Sequence, residues 1–344
     1  MYRRGTVIVV GAGASFDLGF PLGRQLKSDI YELLRRSRRF DREYDEYIYN
    51  DRLVDDQFDQ ELNNHLTSMA PKFITQTKME ATQFIREAMP FTSSIDNFLK
   101  NNAHRDDVAR VAKAAIAWII SGYEQKAAAR IAPKSRDDSV EIDTTWHQIF
   151  IEDLFANCQP NQLSEALSRV QIISFNYDRC VQQVVLVALS RLYQLTDEQV
   201  HNHLTQLQVH YPYGSLGDIT DARGRSTFGD RTSWRAAATK IRTFGESEGV
   251  NVQISEVCAK ADRIVFLGFG FHQPNIELLA PKKSSKTKQI FGTSLGLEPA
   301  AQQAVKGKLA ATFRNSKTHT EAITELKATT CRGLLDEYRL ALVD

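Results

Sequence analysis

The sequence lacks the cysteine patterns that mark several common kinds of site. Its 344 residues include only four cysteines, and these lie far apart with no CxxC pair among them. Such spacing argues against a structural zinc site and against a disulfide framework. We therefore expect reduced thiols at Cys158, Cys180, Cys258 and Cys331.

An excess of one charge and long apolar runs are also missing. Lysine and arginine number 43 against 42 aspartate and glutamate, a net charge of +1. Proteins that bind nucleic acid or anionic membranes usually carry an excess of cations, so we expect neither partner. The first apolar run, residues 7–10, is far shorter than the ~20 residues that span a bilayer and shorter than a signal-peptide core. We expect a cytoplasmic protein.

Short β-branched runs predict the strands of a buried sheet. Residues 6–10 read TVIVV and end at a glycine-rich loop, and continuous apolarity is typical of a strand that is covered on both faces. Similar runs lie at 170–174, 263–267 and 289–291, with a weaker one at 207–211. Strands joined by long connections predict an α/β fold with a Rossmann-like, doubly wound parallel sheet.

A large helical insertion is predicted directly after the first strand. Leu26, Ile30 and Leu33 share one helical face, a pattern typical of a packed helix. The basic cluster at 35–39 fits a solvated helix end, and 41–59 an exposed helix or loop. The predicted organisation is a discontinuous nucleotide-binding core at 1–23 and 166–310, a helical insertion or lid at 24–165, and a helical tail at 311–344.

The loop after the first strand has the composition of a phosphate-binding turn. Gly11 and Gly13 would let backbone amides approach a pyrophosphate, with a helix N-terminus adding favourable potential. The dehydrogenase fingerprint GxGxxG has a third glycine where this chain has Phe16, which disfavours hydride transfer. A tight glycine turn without a ligand is the alternative interpretation.

Polar residues follow two other predicted strands. Asn176 and Asp178 come after 170–174, and His210 lies in the run 207–211. In an open α/β sheet the ligand lies beyond the carboxyl ends of the strands, where remote residues converge. An amide can hold a ribose hydroxyl or a water, and a histidine with a pKa of ~6.5 can accept a proton at neutral pH. Helix capping is the alternative for Asn176 and Asp178.

Four motifs in this order resemble those of sirtuin-like proteins. Residues 11–21, GAGASFDLGFP, resemble the GAGxS…GxP opening of that family, and 173–178, ISFNYD, resemble its TQNxD motif. Residues 209–216, VHYPYGSL, stand where the family has His-Gly, although Tyr213 precedes the glycine here; residues 264–270 end in a glycine turn. Without the four-cysteine zinc module, the chain is similar to the zinc-free bacterial branch, whose members are implied to hydrolyse NAD in antiphage defence.

The resemblance implies a fold, an activity and a set of residues. It implies an NAD+ glycohydrolase that needs no metal, in which Asn176, Asp178 and His210 are catalytic. Tyr213, if it occupies the base position, is a poor base at neutral pH because its ordinary pKa is about 10. The residues implied to bind NAD are Gly11, Ala12, Gly13, Ser15, Asp17, Pro21, Gly268, Phe269 and Asn275.

The resemblance also implies partners, and other activities stay open. Related proteins work with a separate Argonaute-like protein, an ATPase or a nucleotide hydrolase, and we expect a homo-oligomer or a hetero-complex. One alternative is a non-catalytic module that senses NAD or ADP-ribose. A weaker one is zinc-free deacylation or ADP-ribosyl transfer.

Several further residues are secondary candidates. Residues 93–99, SSIDNFL, resemble a short segment common in bacterial sirtuin-like proteins that contains Asp96; the alternative is a helix start capped by Ser93 or Ser94. Residues 292–294 follow a strand and are candidates for a ribose or phosphate contact. His272, His201 and His203 are reserve histidines, the last two expected on a helix surface.

Overall fold

Six strands form one parallel sheet in the computed structural model, which describes residues 1–41, 46–69, 75–132, 142–242, 246, 248–284 and 286–344. Two further strands form a separate antiparallel pair. The strands of the described residues are β1 (Thr6–Val10), β2 (Arg36–Asp41), β3 (Glu46–Leu53), β4 (Val170–Ser174), β5 (Gln208–His210), β6 (Arg263–Leu267), β7 (Gln289–Thr293) and β8 (Ile323–Lys327).

The order of the six strands identifies the fold. Across the sheet they run β5-β4-β1-β6-β7-β8, and every neighbouring pair is parallel. Numbered within this sheet along the chain, the order is 3-2-1-4-5-6, that of the Rossmann fold. The predicted α/β class is confirmed. All five residues of β1 are buried, as its unbroken apolar run predicts.

Helices surround this sheet. Those of the described residues are α1 (Gly23–Leu33), α2 (Asp56–Met69), α3 (Thr75–Ala88), α4 (Ile95–Asn101), α5 (Asp106–Ile131), α6 (Trp146–Leu154), α7 (Leu163–Ser168), α8 (Cys180–Tyr193), α9 (Asp197–Leu204), α10 (Trp234–Lys240), α11 (Glu248–Lys260), α12 (Gln273–Leu279), α13 (Pro299–Thr312) and α14 (Cys331–Leu342). None of these helices has the length and apolar character that crossing a membrane requires.

The predicted insertion is largely helical where the structure describes it. Its longest helix, α5, packs against α1, α2, α3, α8 and α10. The interpretation of the basic cluster as a helix end was wrong, because β2 and β3 pair there as an antiparallel hairpin. Tyrosine and isoleucine in β3 favour a strand, but the many charged residues around them led to the prediction of an exposed helix or loop. Residues 42–45, 70–74 and 133–141 of the predicted insertion lie outside the described residues.

The C-terminal segment contains a strand that was not predicted. The expected terminal helix is present as α14, which packs against α6 and β7. Between α13 and α14, however, β8 pairs with β7 and completes one edge of the sheet. Its sequence ITELK alternates apolar and polar residues, and Ile323 is 58% exposed. The predicted helical tail therefore also contains a strand. A strand at the edge of a sheet with one face exposed to solvent lacks the unbroken apolar run that predicts a buried strand.

Candidate active site

A cleft of about 630 Å³ lies at the carboxyl ends of the central strands. It opens where the chain order reverses between β1 and β6, which is where doubly wound folds bind ligands. Ser94 and Asp96, from the insertion, form part of its wall. The predicted site residues that line this cleft are Gly11, Ala12, Gly13, Asp17, Asn176, Gly268, Phe269 and Asn275.

Four predicted site residues lie elsewhere. Pro21 and Asp178 line a small adjoining cavity of about 80 Å³, which Asn176 also lines. Ser15 is buried and lines neither space. His210 lines a separate cavity beside β5. The structure therefore does not bring Asn176, Asp178 and His210 together around one cleft.

Asn176 is the residue whose geometry is most defined. Its Nδ2 donates to the carbonyl oxygen of Gly11 at 3.0 Å and to Ser15 Oγ at 3.0 Å. These two bonds use both amide hydrogens and fix the orientation of the carboxamide. No described residue donates a hydrogen bond to Oδ1, and the side chain remains 8% exposed on the cleft wall. Oδ1 is thus the atom that can accept a hydrogen bond from a ligand.

Ser15 and Asp178 support Asn176 from behind. Ser15 Oγ donates to Asp178 Oδ1 at 3.1 Å, and the same oxygen accepts from the amide of Cys180 at the start of α8. Asp178, one residue before the N-cap residue Arg179, thus accepts from the first amide of α8, a role similar to the capping alternative. The Ser15 hydroxyl, which the resemblance implies to bind NAD, instead donates to Asp178 and accepts from Asn176. Both act as positioning residues for the carboxamide.

The glycines of the first loop are required by close backbone packing. The amides of Gly11 and Gly13 donate to the carbonyls of Leu267 and Gly268, at 2.9 and 3.0 Å. A Cβ on Gly11 would lie 2.6 Å from the Gly268 oxygen, and one on Gly268 would lie 2.1 Å from the amide nitrogen of Ala14. The turns after β1 and β6 are in direct contact, so the Gly11 and Gly13 amides are not available to a phosphate.

This packing predicts a large effect at Gly268. Its φ of +57° would cost an ordinary residue about 1–2 kcal/mol, and the steric overlap adds to that cost. We expect Gly268→Ala to lower the melting temperature and weaken ligand binding in the cleft. Gly307→Ala is a matched control, because nothing lies within 4 Å of a Cβ there and alanine favours α13 by roughly 0.5–1 kcal/mol. Equal melting temperatures for the two variants would contradict this account.

Asp96 places a carboxylate in the cleft. Ser94 Oγ accepts from the amide of Asn97 at 3.1 Å, so the predicted cap of α4 is present. The side chain of Asp96, two residues further, lines the cleft and accepts a hydrogen bond from Tyr177 Oη. Burial raises the pKa of Asp96, and the Tyr177 hydroxyl opposes that shift. A carboxyl with a raised pKa in a cleft is a candidate acid or base.

Tyr213 takes the place that the resemblance gives to a histidine. Its hydroxyl donates to Asn275 Oδ1 at 2.7 Å, and Asn275 itself lines the cleft. Burial raises the pKa of Tyr213 further above its ordinary value, so it stays protonated at neutral pH. His272 lines the cleft as well, which places one of the reserve histidines there.

The far end of the cleft contains a buried hydroxyl and a helix start. Ser294 Oγ is buried and has no hydrogen-bond partner among the residues that the structure describes. Thr329, Thr330 and Cys331, at the start of α14, line the same wall. These three residues were not predicted, because β8 before them was missed. Of these three residues, Thr330 has a recognisable sequence feature, because threonine is a typical N-cap residue of a helix. Its Oγ1 accepts a hydrogen bond from the amide of Gly333.

Comparison with known proteins adds no assignment to this geometry. A scan against models of protein families finds no match to the chain, and a search of curated proteins finds no significant one. What the cleft does must therefore be argued from its own residues.

Proposed function

We propose that this chain is an NAD+ glycohydrolase, which cleaves NAD+ to nicotinamide and ADP-ribose. The observation that carries the proposal is the Asn176 carboxamide at the end of β4. Its Nδ2 donates hydrogen bonds to Gly11 and Ser15, so its Oδ1 remains available to accept a hydrogen bond from a ligand in the cleft. A fixed acceptor of this kind can orient a ribose hydroxyl, or a water, at the anomeric carbon.

The cleft can hold a dinucleotide through hydrogen bonds and apolar contacts, with the carboxyl groups of Asp17 and Asp96 also in its wall. Its volume of about 630 Å³ lies within the range of sites for molecules of this size. Of the described residues that line it, none is lysine or arginine. We assign the polar contacts to Ser294 Oγ and to the first turn of α14, because amides at a helix N-terminus favour anions. Phe175 and Phe269 supply apolar surface for the rings of the substrate.

The proposed chemistry needs an orienting group and a base. The bond between the ribose carbon and the nicotinamide nitrogen breaks, and its electron pair neutralises the pyridinium. The oxygen of a water then bonds to the ribosyl cation, and the water gives up a proton. Asn176 Oδ1 orients the ribose or the water, and Asp96 takes the proton in place of His210, which does not line the cleft.

The pKa of Asp96 predicts the pH dependence of this reaction. A base acts when deprotonated, so the rate falls as the pH drops through its pKa. Because burial raises the pKa of Asp96, we expect the acidic limb of the pH–rate profile above the ordinary aspartate value of ~3.9. Asp96→Asn should remove this limb and lower the rate of nicotinamide release by roughly 10²–10⁴-fold.

Tyr177→Phe provides a sharper test of the same assignment. The Tyr177 hydroxyl holds the pKa of Asp96 down. Its removal should therefore move the acidic limb to higher pH without abolishing the reaction. A limb that stays in place in Tyr177→Phe, or survives in Asp96→Asn, would assign the base to another group.

A non-catalytic sensor of NAD or ADP-ribose is the second candidate. The position of His210 favours it, because the imidazole that was expected as the base lies in another cavity. The two functions are separated by incubating the protein with NAD+, alone and with the products of neighbouring genes. Release of nicotinamide supports the hydrolase, and tight NAD+ binding without release supports the sensor.

The biological setting follows from the sequence resemblance alone. A role in antiphage defence in the cytoplasm, activation by a separate protein, and assembly into an oligomer stay predictions. Regulation fits the chemistry, since an enzyme of this kind that was always active would exhaust cellular NAD.

A further inference from the structure

A second cavity lies beside β5 and is not used by the proposed function. Its volume of about 770 Å³ exceeds that of the cleft. Its walls are formed by residues of α8, α9, β5, the loop after β5, the end of α10 and the start of α11. The loop after β5 separates the two spaces: Tyr213 bonds to Asn275 on the cleft side, whereas Gly214 and Ser215 line the second cavity.

Among the described residues of this cavity, the charged side chains that lack a partner are mostly cations. Lys240 and Arg242 both line it, and neither side chain has an ion-pair or hydrogen-bond partner in the described part of the chain. Two carboxylates also line it, those of Asp218 and Asp221. Asp221 is neutralised by Arg225 at 2.7 Å, so two free cations face one free carboxylate.

His210 adds a buried polar atom that lacks a partner. Its Nε2 is shielded from solvent and makes no hydrogen bond to any described residue. A buried polar atom without a partner costs about 1–3 kcal/mol, and such atoms call for a ligand or a water. Burial lowers the pKa of His210, so the imidazole is neutral at pH 7. In that state each ring nitrogen can serve as a donor or an acceptor, depending on the tautomer.

The remaining wall is partly apolar. Leu204, Val209, Ile219 and Val250 line the cavity, and they can cover the organic part of a ligand. Arginine favours phosphate because its planar fork can bind two oxygens, and lysine adds a point charge. The combination of two cations without partners among the described residues and an apolar wall matches a ligand with a phosphate at one end and a carbon skeleton at the other.

We propose that this cavity is a second ligand site, which binds a small phosphorylated molecule. Lys240 and Arg242 hold its phosphate, the apolar wall packs against the rest, and the His210 side chain lies in the wall beside the ligand. Binding here depends on none of the residues assigned to NAD+ cleavage, so it is testable whether or not the cleft is catalytic.

Inorganic pyrophosphate is a suitable probe for the phosphate contacts. Calorimetric titration of the full chain should show binding, and the Lys240→Gln/Arg242→Gln double variant should bind at least tenfold more weakly. Lys260→Gln is the matched control, because Lys260 is exposed on α11 and does not line the cavity; its affinity should equal that of the wild type. Succinate, a dianion without phosphorus, should bind at least tenfold more weakly than pyrophosphate.

The imidazole signals of the protein locate the bound probe. With isotope-labelled histidine, the signal missing from His210→Gln identifies His210, and pyrophosphate should shift it. The shift should persist in Asn176→Ala, because Asn176 does not line the second cavity. A stationary His210 signal, unchanged affinity in the double variant, loss of binding in Asn176→Ala, or succinate binding as tightly as pyrophosphate would each overturn the proposal.

Discussion

Replacing Asn176 by alanine is expected to reduce nicotinamide release by about 10²–10³-fold, the loss typical when one preorganised hydrogen-bonding group is removed from an active site. Asn176 Oδ1 is the acceptor that the protein leaves to the cleft, while Nδ2 is committed to Gly11 and Ser15. The loss should fall mainly on kcat, because the contacts proposed for the remainder of the dinucleotide come from other residues. Chromatographic measurement of nicotinamide and ADP-ribose over a range of NAD+ concentrations separates kcat from KM.

Two controls separate chemistry from folding in this experiment. Asn202→Ala removes an exposed asparagine of α9 that lines neither the cleft nor the second cavity, and its activity should match that of the wild type. Ser15→Ala keeps the Asn176 carboxamide but removes the hydroxyl that connects its Nδ2 to Asp178. We therefore expect an intermediate loss of activity. Full activity in Asn176→Ala would rule out the proposed role of the carboxamide.

The strands that the sequence predicted most clearly are those that are mostly buried, whereas the weaker run at 207–211 corresponds to β5, which has no buried residue. β1 and β6 carry unbroken runs of four apolar residues, and β4 and β7 carry shorter runs of buried apolar residues; such runs are typical of a buried strand. β8 carries alternating residues and β3 dense charge, and both were missed. Their pairing depends on which neighbours cover each face, and that information is not local.

The candidate site was predictable only where it lies directly at a strand end. The loop at 11–13 and Asn176 follow buried strands, so the topology alone brings them to the switch point. His210 ends β5 and Tyr213 lies three residues further in the following loop; the path of that loop brings Tyr213 to Asn275 in the cleft wall, whereas His210 lines the second cavity. Asp96 comes from the insertion, and its place beside Asn176 depends on how α4 packs against the sheet.

Side-chain competition accounts for the other differences. Serine and aspartate often contact ligands, yet the polar atoms of Ser15 and Asp178 bond to each other and to the start of α8. Serine and aspartate readily form such short-range bonds to caps and turns. Motif spacing therefore indicated residues that mostly line one cleft, but it could not distinguish groups that face the cleft from groups that hold those in place.

The buried ion pair behind the Asn176 motif should control stability. Glu124 of α5 is fully buried, and its Oε2 accepts from Arg179 Nη2 at 2.6 Å; the Arg179 side chain is 3% exposed. Arg179 also bonds to Thr227 and to the carbonyl of Asp218, and Glu124 accepts from the amide of Gly229. One pair thus connects the insertion, the residue next to Asp178 and the segment after β5.

Glu124→Gln is expected to lower the free energy of unfolding by about 3–5 kcal/mol, because it leaves the buried Arg179 cation without a countercharge. Urea unfolding followed by tryptophan fluorescence measures the change. Glu32→Gln is the control: its pair with Arg35 is exposed on both sides, and such pairs add little. A shared urea midpoint for the two variants would contradict the expected role. Glu124→Leu combined with Arg179→Met should recover part of the loss, since it removes the unpaired charge.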